Sequence, residues 1–163
     1  MAKIDVIRNT FGGVNYLQNA VNYVTDQRAL YGGGYGVNPY DSNTAYNQMM
    51  LTRQYFGKVS GNPLVHIVIA YDGSVRDIQT AARFGQQCAQ YFACRFQVLY
   101  CTHYKDMGCS CFHTHIIINA VSYINGQMIQ TGYDEMNAYC SFVTQVTGQK
   151  SWFYFDNKVP YKS

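Results

Sequence analysis

The sequence contains an unbroken apolar run directly after two closely spaced histidines, Phe112-His113-Thr114-His115-Ile116-Ile117-Ile118-Asn119. Because β-branched residues pack well on a pleated surface, this run predicts a β-strand. Alternation along a strand places both histidines on one face of the sheet and turns the residues between them to the other face. The roots of the two imidazoles would lie roughly 6.6–7 Å apart. A single metal ion can bridge that span.

A third imidazole, His103, ends another strand-like run at residues 96–103. The connection between the two runs is short and contains Gly108, which is typical of a β-hairpin. Antiparallel neighbours lie about 4.8 Å apart, so His103 can approach His113 and His115. Three neutral imidazoles leave coordination positions open, as in a catalytic metal site. A His-X-His pair alone also arises by chance in a sheet, and the third histidine favours metal binding.

Length and composition predict one globular domain, residues 1–163, that is large enough to bury a core. The formal net charge of +3 neither requires nor excludes a nucleic-acid partner, because a groove can be basic while the whole chain is nearly neutral. The 16 tyrosines offer stacking faces that suit single-stranded nucleic acid. Tyrosine also simply fills sheets, so the composition alone leaves both interpretations open.

The sequence predicts a cytosolic protein with reduced thiols. The N-terminus has no apolar signal region, no apolar run approaches membrane-spanning length, and the six cysteines form no Cys-X-X-Cys pair. Cys109 and Cys111 flank the histidines and are an alternative set of soft metal ligands. Their Cys-Ser-Cys spacing fits zinc sites poorly.

Hydrophobic periodicity and turn residues predict an α+β fold, in which helices flank a mostly antiparallel sheet. The predicted elements are a strand at 2–8, a helix at 14–26, a mobile loop rich in Gly and Tyr at 30–43, a helix at 45–56 capped by Thr44, a strand at 64–71, a helix at 75–92, a short strand within 121–130, a helix at 133–146 and an edge strand at 151–155.

Three segments taken together resemble the relaxase/mobilisation nuclease family of HUH-type DNA nicking enzymes. They are a tyrosine motif at 19–26, a His-bearing strand at 64–71 and the histidines of 102–119. The resemblance extends over residues 7–130 and implies an antiparallel sheet of about five strands with flanking helices. It also implies an enzyme that nicks one DNA strand at a transfer origin and stays attached to the 5′ phosphate through tyrosine. The connection before His113 is longer than in many members, and its acidic residue Asp106 is shifted by one place.

By position, the resemblance assigns the nucleophile to Tyr23 and the metal ligands to His103, His113 and His115. A divalent metal ion, Mn²⁺ or Mg²⁺, is therefore the expected cofactor. A phenol has a pKa of about 10, so it needs a cation or a base to attack at neutral pH. Tyr16 lies on the same line of the predicted helix and is the second candidate. His66, within an apolar strand, is expected to be a satisfied core histidine.

The expected partner is single-stranded DNA at a transfer origin, with accessory mobilisation proteins as further partners. Arg28, Tyr31 and Tyr35 are the predicted DNA contacts because they follow the proposed nucleophile. The resemblance places the protein in the bacterial cytoplasm and in plasmid or conjugative-element mobilisation. Two alternatives stay open: a relaxase-like module that binds origin DNA without cutting it, and a metal-dependent phosphoesterase that uses water.

Overall fold

The computed structural model describes residues 1–8, 15–26, 31–104 and 111–155, and these residues form an α+β fold. The elements are β1 (Ala2–Ile7), α1 (Tyr16–Thr25), β2 (Tyr31–Tyr35), α2 (Ser42–Tyr55), β3 (Leu64–Ala70), α3 (Ile78–Gln90), β4 (Val98–Tyr104), β5 (Phe112–Asn119), α4 (Tyr133–Thr147) and β6 (Ser151–Phe155). Predicted positions outside those ranges include Arg28, Asp106 and Cys109.

The strands of the described residues form one sheet in the order β2-β4-β5-β3-β1-β6. β6 runs parallel to β1, whereas the other neighbouring strands are antiparallel. The prediction of a mostly antiparallel sheet of about five strands is therefore wrong, because within the described residues the sheet is mixed and has six strands. The edge strand expected at 151–155 is present. The apolar pattern of this strand does not indicate whether it runs parallel or antiparallel to its neighbour. The direction of β6 depends on the path of the chain through α4.

The prediction for the glycine-rich segment after residue 30 is also wrong at its beginning. A mobile loop was expected at 30–43, but Tyr31–Tyr35 forms an edge strand that pairs antiparallel with β4. Gly33 lies opposite Tyr100, and a Cβ atom on Gly33 would lie only 2.7 Å from Cζ of that tyrosine. The absence of a side chain therefore lets the Tyr100 ring cover the strand, a close approach that glycine permits.

Side chains on the two faces of the sheet enter two separate hydrophobic clusters. Ile117 of β5 packs with α1 and α2, in a cluster that includes Val21 and Met49. Ile116 and Ile118 of the same strand pack with α3 and α4. The alternation predicted for this strand is thus confirmed. It turns the histidine face of β5 towards α1.

Two helices begin at residues other than those predicted, because aspartate side chains cap their N-termini. The Asp41 carboxylate accepts a hydrogen bond from the backbone N–H of Thr44, so the predicted cap Thr44 lies within the first turn of α2. Asp77 caps α3 in the same way, and α3 begins three residues later than expected.

Residues 121–130 form a single bridge between Val121 and Met128 in place of the expected strand. None of the helices in the described ranges is both long and apolar enough to cross a membrane.

Candidate active site

The β4–β5 pairing brings three imidazoles together on one face of the sheet. His103 lies directly opposite His113, and His115 lies two residues further along β5. The ring centroids of His103 and His113 are 4.5 Å apart, and those of His113 and His115 are 5.0 Å apart. One ring nitrogen from each residue lies within 4.8 Å of the other two. The predicted convergence of these histidines is confirmed.

The chemistry of this group fits a metal ion. Burial, and then the nearby His66, His113 and His103, hold the pKa of His115 well below its ordinary value. A neutral imidazole keeps a lone pair for coordination, and a site with three such ligands leaves positions for substrate oxygen. Among the described residues, Cys111 does not belong to this group. The structure therefore contains a three-histidine group able to bind a metal ion.

Tyr23 extends from α1 to the histidine group. Its hydroxyl lies 3.3 Å from Nε2 of His115, and the two ring centroids are 4.9 Å apart in an edge-on arrangement. The Tyr23 side chain is half-buried. Tyr16, the other candidate on this helix, is only 1% exposed and packs in the hydrophobic cluster between α1 and the sheet. Of the two tyrosines, Tyr23 is the one next to the imidazoles.

The sequence also matches the family model described as "Relaxase: MobA/VirD2-like, nuclease domain" over residues 16–149. This match covers most of the chain, including Tyr23 and all three histidines of the group. The chain belongs to this relaxase family. A search of curated proteins finds no significant match. Family membership supports a DNA-nicking function and single-stranded DNA as the substrate class.

A fourth histidine, His66, extends the group on the same face of the sheet. His66 of β3 is 2% exposed, and its Nε2 lies 2.9 Å from Nδ1 of His115. Burial lowers the pKa of His66 to about 3, so this ring is neutral at physiological pH. His66 is a buried histidine with a partner, as predicted. That the partner is His115 was not predicted, because only the β3–β5 register reveals their proximity.

A cysteine also adjoins the histidine group and was not predicted there. Cys101 lies opposite His115 in the β4–β5 register, and its Sγ is 3.7 Å from Nε2 of His103. Burial, with a contribution from the Asp26 carboxylate, raises the pKa of this thiol to about 12. The thiol is therefore protonated at neutral pH. In that state it packs beside the imidazoles, and it is not among the residues that converge as metal-ligand candidates in the described structure.

The tyrosines predicted to bind DNA lie away from the three-histidine group. The β2–β4 register pairs Tyr31 with Thr102 and Tyr35 with Val98, which places both on the face opposite His103. Tyr35 stacks on Tyr100 and packs against the α3–α4 side of the core. Tyr31 is 40% exposed.

Tyr31 borders a groove of about 310 Å³ between β2 and α3. The groove is also lined by Gln79, Arg83, Gln86 and Tyr100. The structure therefore brings Tyr23 and the three histidines together, whereas Tyr31 and Tyr35 belong to a second surface. Arg28 lies outside the described residues.

Proposed function

We propose that this protein nicks one strand of DNA at a specific site and transfers that strand, in a metal-dependent reaction with a covalent 5′-phosphotyrosine intermediate. The observation that supports the proposal most directly is the 3.3 Å separation between the Tyr23 hydroxyl and Nε2 of His115. A nucleophile must lie beside the groups that activate it, and hydrogen-bond reach is the first criterion. Family membership independently supports DNA nicking.

In this reaction the phenol oxygen of Tyr23 attacks the scissile phosphorus. The new Tyr–O–P bond forms as the bond from phosphorus to the 3′ oxygen breaks, and the departing oxygen takes up a proton to become a 3′ hydroxyl. The phenol proton is released to solvent. A divalent ion held by His103, His113 and His115 would polarise the phosphate and favour the phenolate. Because the phosphodiester energy is kept in the tyrosine ester, a later 3′ hydroxyl can reverse the step and join the strand.

The proposed substrate is single-stranded DNA at the transfer origin of a plasmid or conjugative element, in the bacterial cytoplasm. Arg28, Tyr31 and Tyr35 remain the proposed DNA contacts. Tyr31 has the best support, since this exposed residue borders a groove that Arg83 also lines. Aromatic faces and cations together suit unpaired bases and their backbone. Residues 1–163 would act as a single catalytic domain that works with accessory mobilisation proteins.

The test is capture of the covalent adduct. Single-stranded oligonucleotides tiled across DNA that flanks the gene are labelled at the 3′ end and incubated with the protein and Mn²⁺ or Mg²⁺. A 5′-phosphotyrosine keeps the 3′ fragment, so the label should move to the protein band on a denaturing gel. Mass spectrometry of the labelled band should place the nucleotide on the peptide that contains Tyr23.

Three results would contradict the proposal in different ways. Binding of a strand without cleavage would favour the non-catalytic DNA-binding module. Cleavage with two free ends and no adduct would favour a phosphoesterase that uses water. An adduct on another tyrosine would leave strand transfer intact and reject Tyr23 as the nucleophile.

A further inference from the structure

Both ring nitrogens of His115 have a partner within the described structure. Nδ1 lies 2.9 Å from Nε2 of His66, and Nε2 lies 3.3 Å from the Tyr23 hydroxyl. The strand register explains this arrangement, because it pairs His66 with Ile117 and Val68 with His115. The two imidazoles are therefore diagonal neighbours on one face of the sheet, with ring centroids 5.1 Å apart.

A neutral imidazole carries one proton, and its position decides what His115 can do. With the proton on Nδ1, His115 donates to Nε2 of His66, and its own Nε2 has a lone pair facing Tyr23. With the proton on Nε2, that lone pair is lost, and the nitrogen facing the site can neither coordinate a metal ion nor accept a hydrogen bond from the phenol. The orientation of the ring has the same importance, because a flipped ring exchanges the two nitrogens.

We infer that His66 is a positioning residue that holds His115 in the Nδ1–H tautomer and directs its Nε2 towards the metal site and Tyr23. The inference rests on the proposed metal-dependent function. His66 suits this role because it is buried on a central strand and its Nε2 lies within hydrogen-bond distance of Nδ1 of His115. Partners of this kind orient metal-binding histidines and set their tautomer. In this chain an imidazole supplies the acceptor.

The experiment compares two substitutions that differ in one property. His66→Phe keeps a ring of similar size and removes the acceptor, whereas His66→Gln places an amide oxygen near the position of Nε2. Ile67→Val is the matched control, since Ile67 is fully buried on the same strand but faces the other side of the sheet. Mn²⁺ affinity is measured by calorimetry, with circular dichroism to verify folding. Long-range ¹H–¹⁵N spectra of metal-free wild type report the tautomer of His115 directly.

We expect His66→Phe to bind Mn²⁺ about 10–100-fold more weakly than wild type, the range observed when such partners are lost. His66→Gln and Ile67→Val should retain most of the affinity, and the spectra should show His115 protonated on Nδ1. A folded His66→Phe variant with wild-type affinity would overturn the inference, as would a wild-type His115 protonated on Nε2. If wild type binds no metal but His115 carries the Nδ1 proton, the tautomer assignment stands and the proposed metal dependence fails. If His66→Phe does not fold, the wild-type spectra still test the inference, because they report which nitrogen of His115 carries the proton.

Discussion

The hydroxyl of Tyr23 lies 3.3 Å from Nε2 of His115, although 92 residues separate them in the chain. This contact joins a helix to the centre of the sheet, and it places a potential nucleophile beside the three-histidine group. Tyr16, two turns earlier on the same helix, is buried in the core. The two tyrosines therefore provide a matched pair for testing the proposed chemistry.

Tyr23→Phe should abolish the covalent DNA adduct, because phenylalanine retains the ring and removes only the attacking oxygen. Binding of an uncut strand should change by less than about 1.5 kcal/mol, the typical contribution of one hydrogen bond. Tyr16→Phe should still form the adduct. Denaturing gels measure the adduct, and fluorescence anisotropy measures binding. Loss of the adduct in Tyr16→Phe, with its retention in Tyr23→Phe, would reverse the assignment.

Metal binding should stabilise the folded protein, and His113→Ala should remove that effect. Ligand at a hundredfold excess over its dissociation constant contributes about 2.7 kcal/mol, which corresponds to a rise in Tm of roughly 5–10 °C for a chain of this size. Differential scanning fluorimetry with Mn²⁺, Mg²⁺ and Zn²⁺ measures the shift.

Cys111→Ala is the control for this metal experiment and should keep the full shift, because Cys111 does not belong to the three-histidine group. If Cys111→Ala lost the shift and His113→Ala kept it, the cysteine alternative would be correct.

Tyr31→Ala should weaken binding of single-stranded DNA by roughly 1–3 kcal/mol, the range for loss of one base–aromatic stack. Tyr31 is exposed beside the groove between β2 and α3, whereas Tyr55 is exposed at the end of α2 and serves as the control. Anisotropy titrations with single-stranded and blunt duplex DNA of one sequence test both points. Equal affinities for the two forms of DNA would argue against a single-strand site.

Gly85→Ala should destabilise the fold by about 1–2 kcal/mol. A Cβ atom on Gly85 of α3 would lie 2.5 Å from Oγ1 of Thr102 and 2.6 Å from Oγ1 of Thr114, and the two hydroxyls are hydrogen-bonded to each other. The overpacking should exceed the gain in helix propensity. Gly73→Ala is the control, since a Cβ there meets nothing within 4 Å. Urea unfolding measures both variants, and equal stabilities would show that α3 can shift at no cost.

The buried thiols should make stability fall at alkaline pH. Burial raises the pKa of Cys88 and of Cys101 to about 12 in the folded state. In the unfolded chain a thiol loses its proton near pH 8.5, so above that pH the unfolded state binds fewer protons and is favoured. Urea unfolding should show a smaller free energy of unfolding at pH 10 than at pH 8, and Cys88→Ala should reduce that difference.

Iodoacetamide at pH 8 should label exposed Cys94 in the folded protein and leave Cys88 and Cys101 unmodified.

The central part of the site was predictable from sequence because its signals are local. The run around Ile117 specifies a strand, alternation puts His113 and His115 on one face, and a short connection brings His103 to the neighbouring strand. All three inferences depend on residues close together in the chain. The nucleophile was assigned by family resemblance, and the contact between Tyr23 and His115 could not be predicted from helical periodicity alone.

The parts that could not be predicted depend on pairing between distant segments. Gly32 and Gly33 have little intrinsic preference for a strand, and β2 forms because β4 supplies both an edge and the Tyr100 ring that covers it. The direction of β6 depends on the return through α4. The contact of His66 with His115 requires β3 and β5 to be neighbours in a specific register, which the separate strand patterns do not specify.

The three metal-binding candidates belong to two strands that are consecutive in the chain, whereas the proposed nucleophile comes from a remote helix. This division has a consequence for the order of folding. His103 and His115 are 12 residues apart in the numbering, and Tyr23 and His115 are 92 apart. Closing the longer loop costs about 2 kcal/mol more chain entropy, from three doublings of length. The difference in chain entropy favours contact among the histidines before α1 docks on the sheet. The proposed metal site can therefore assemble ahead of its contact with the proposed nucleophile.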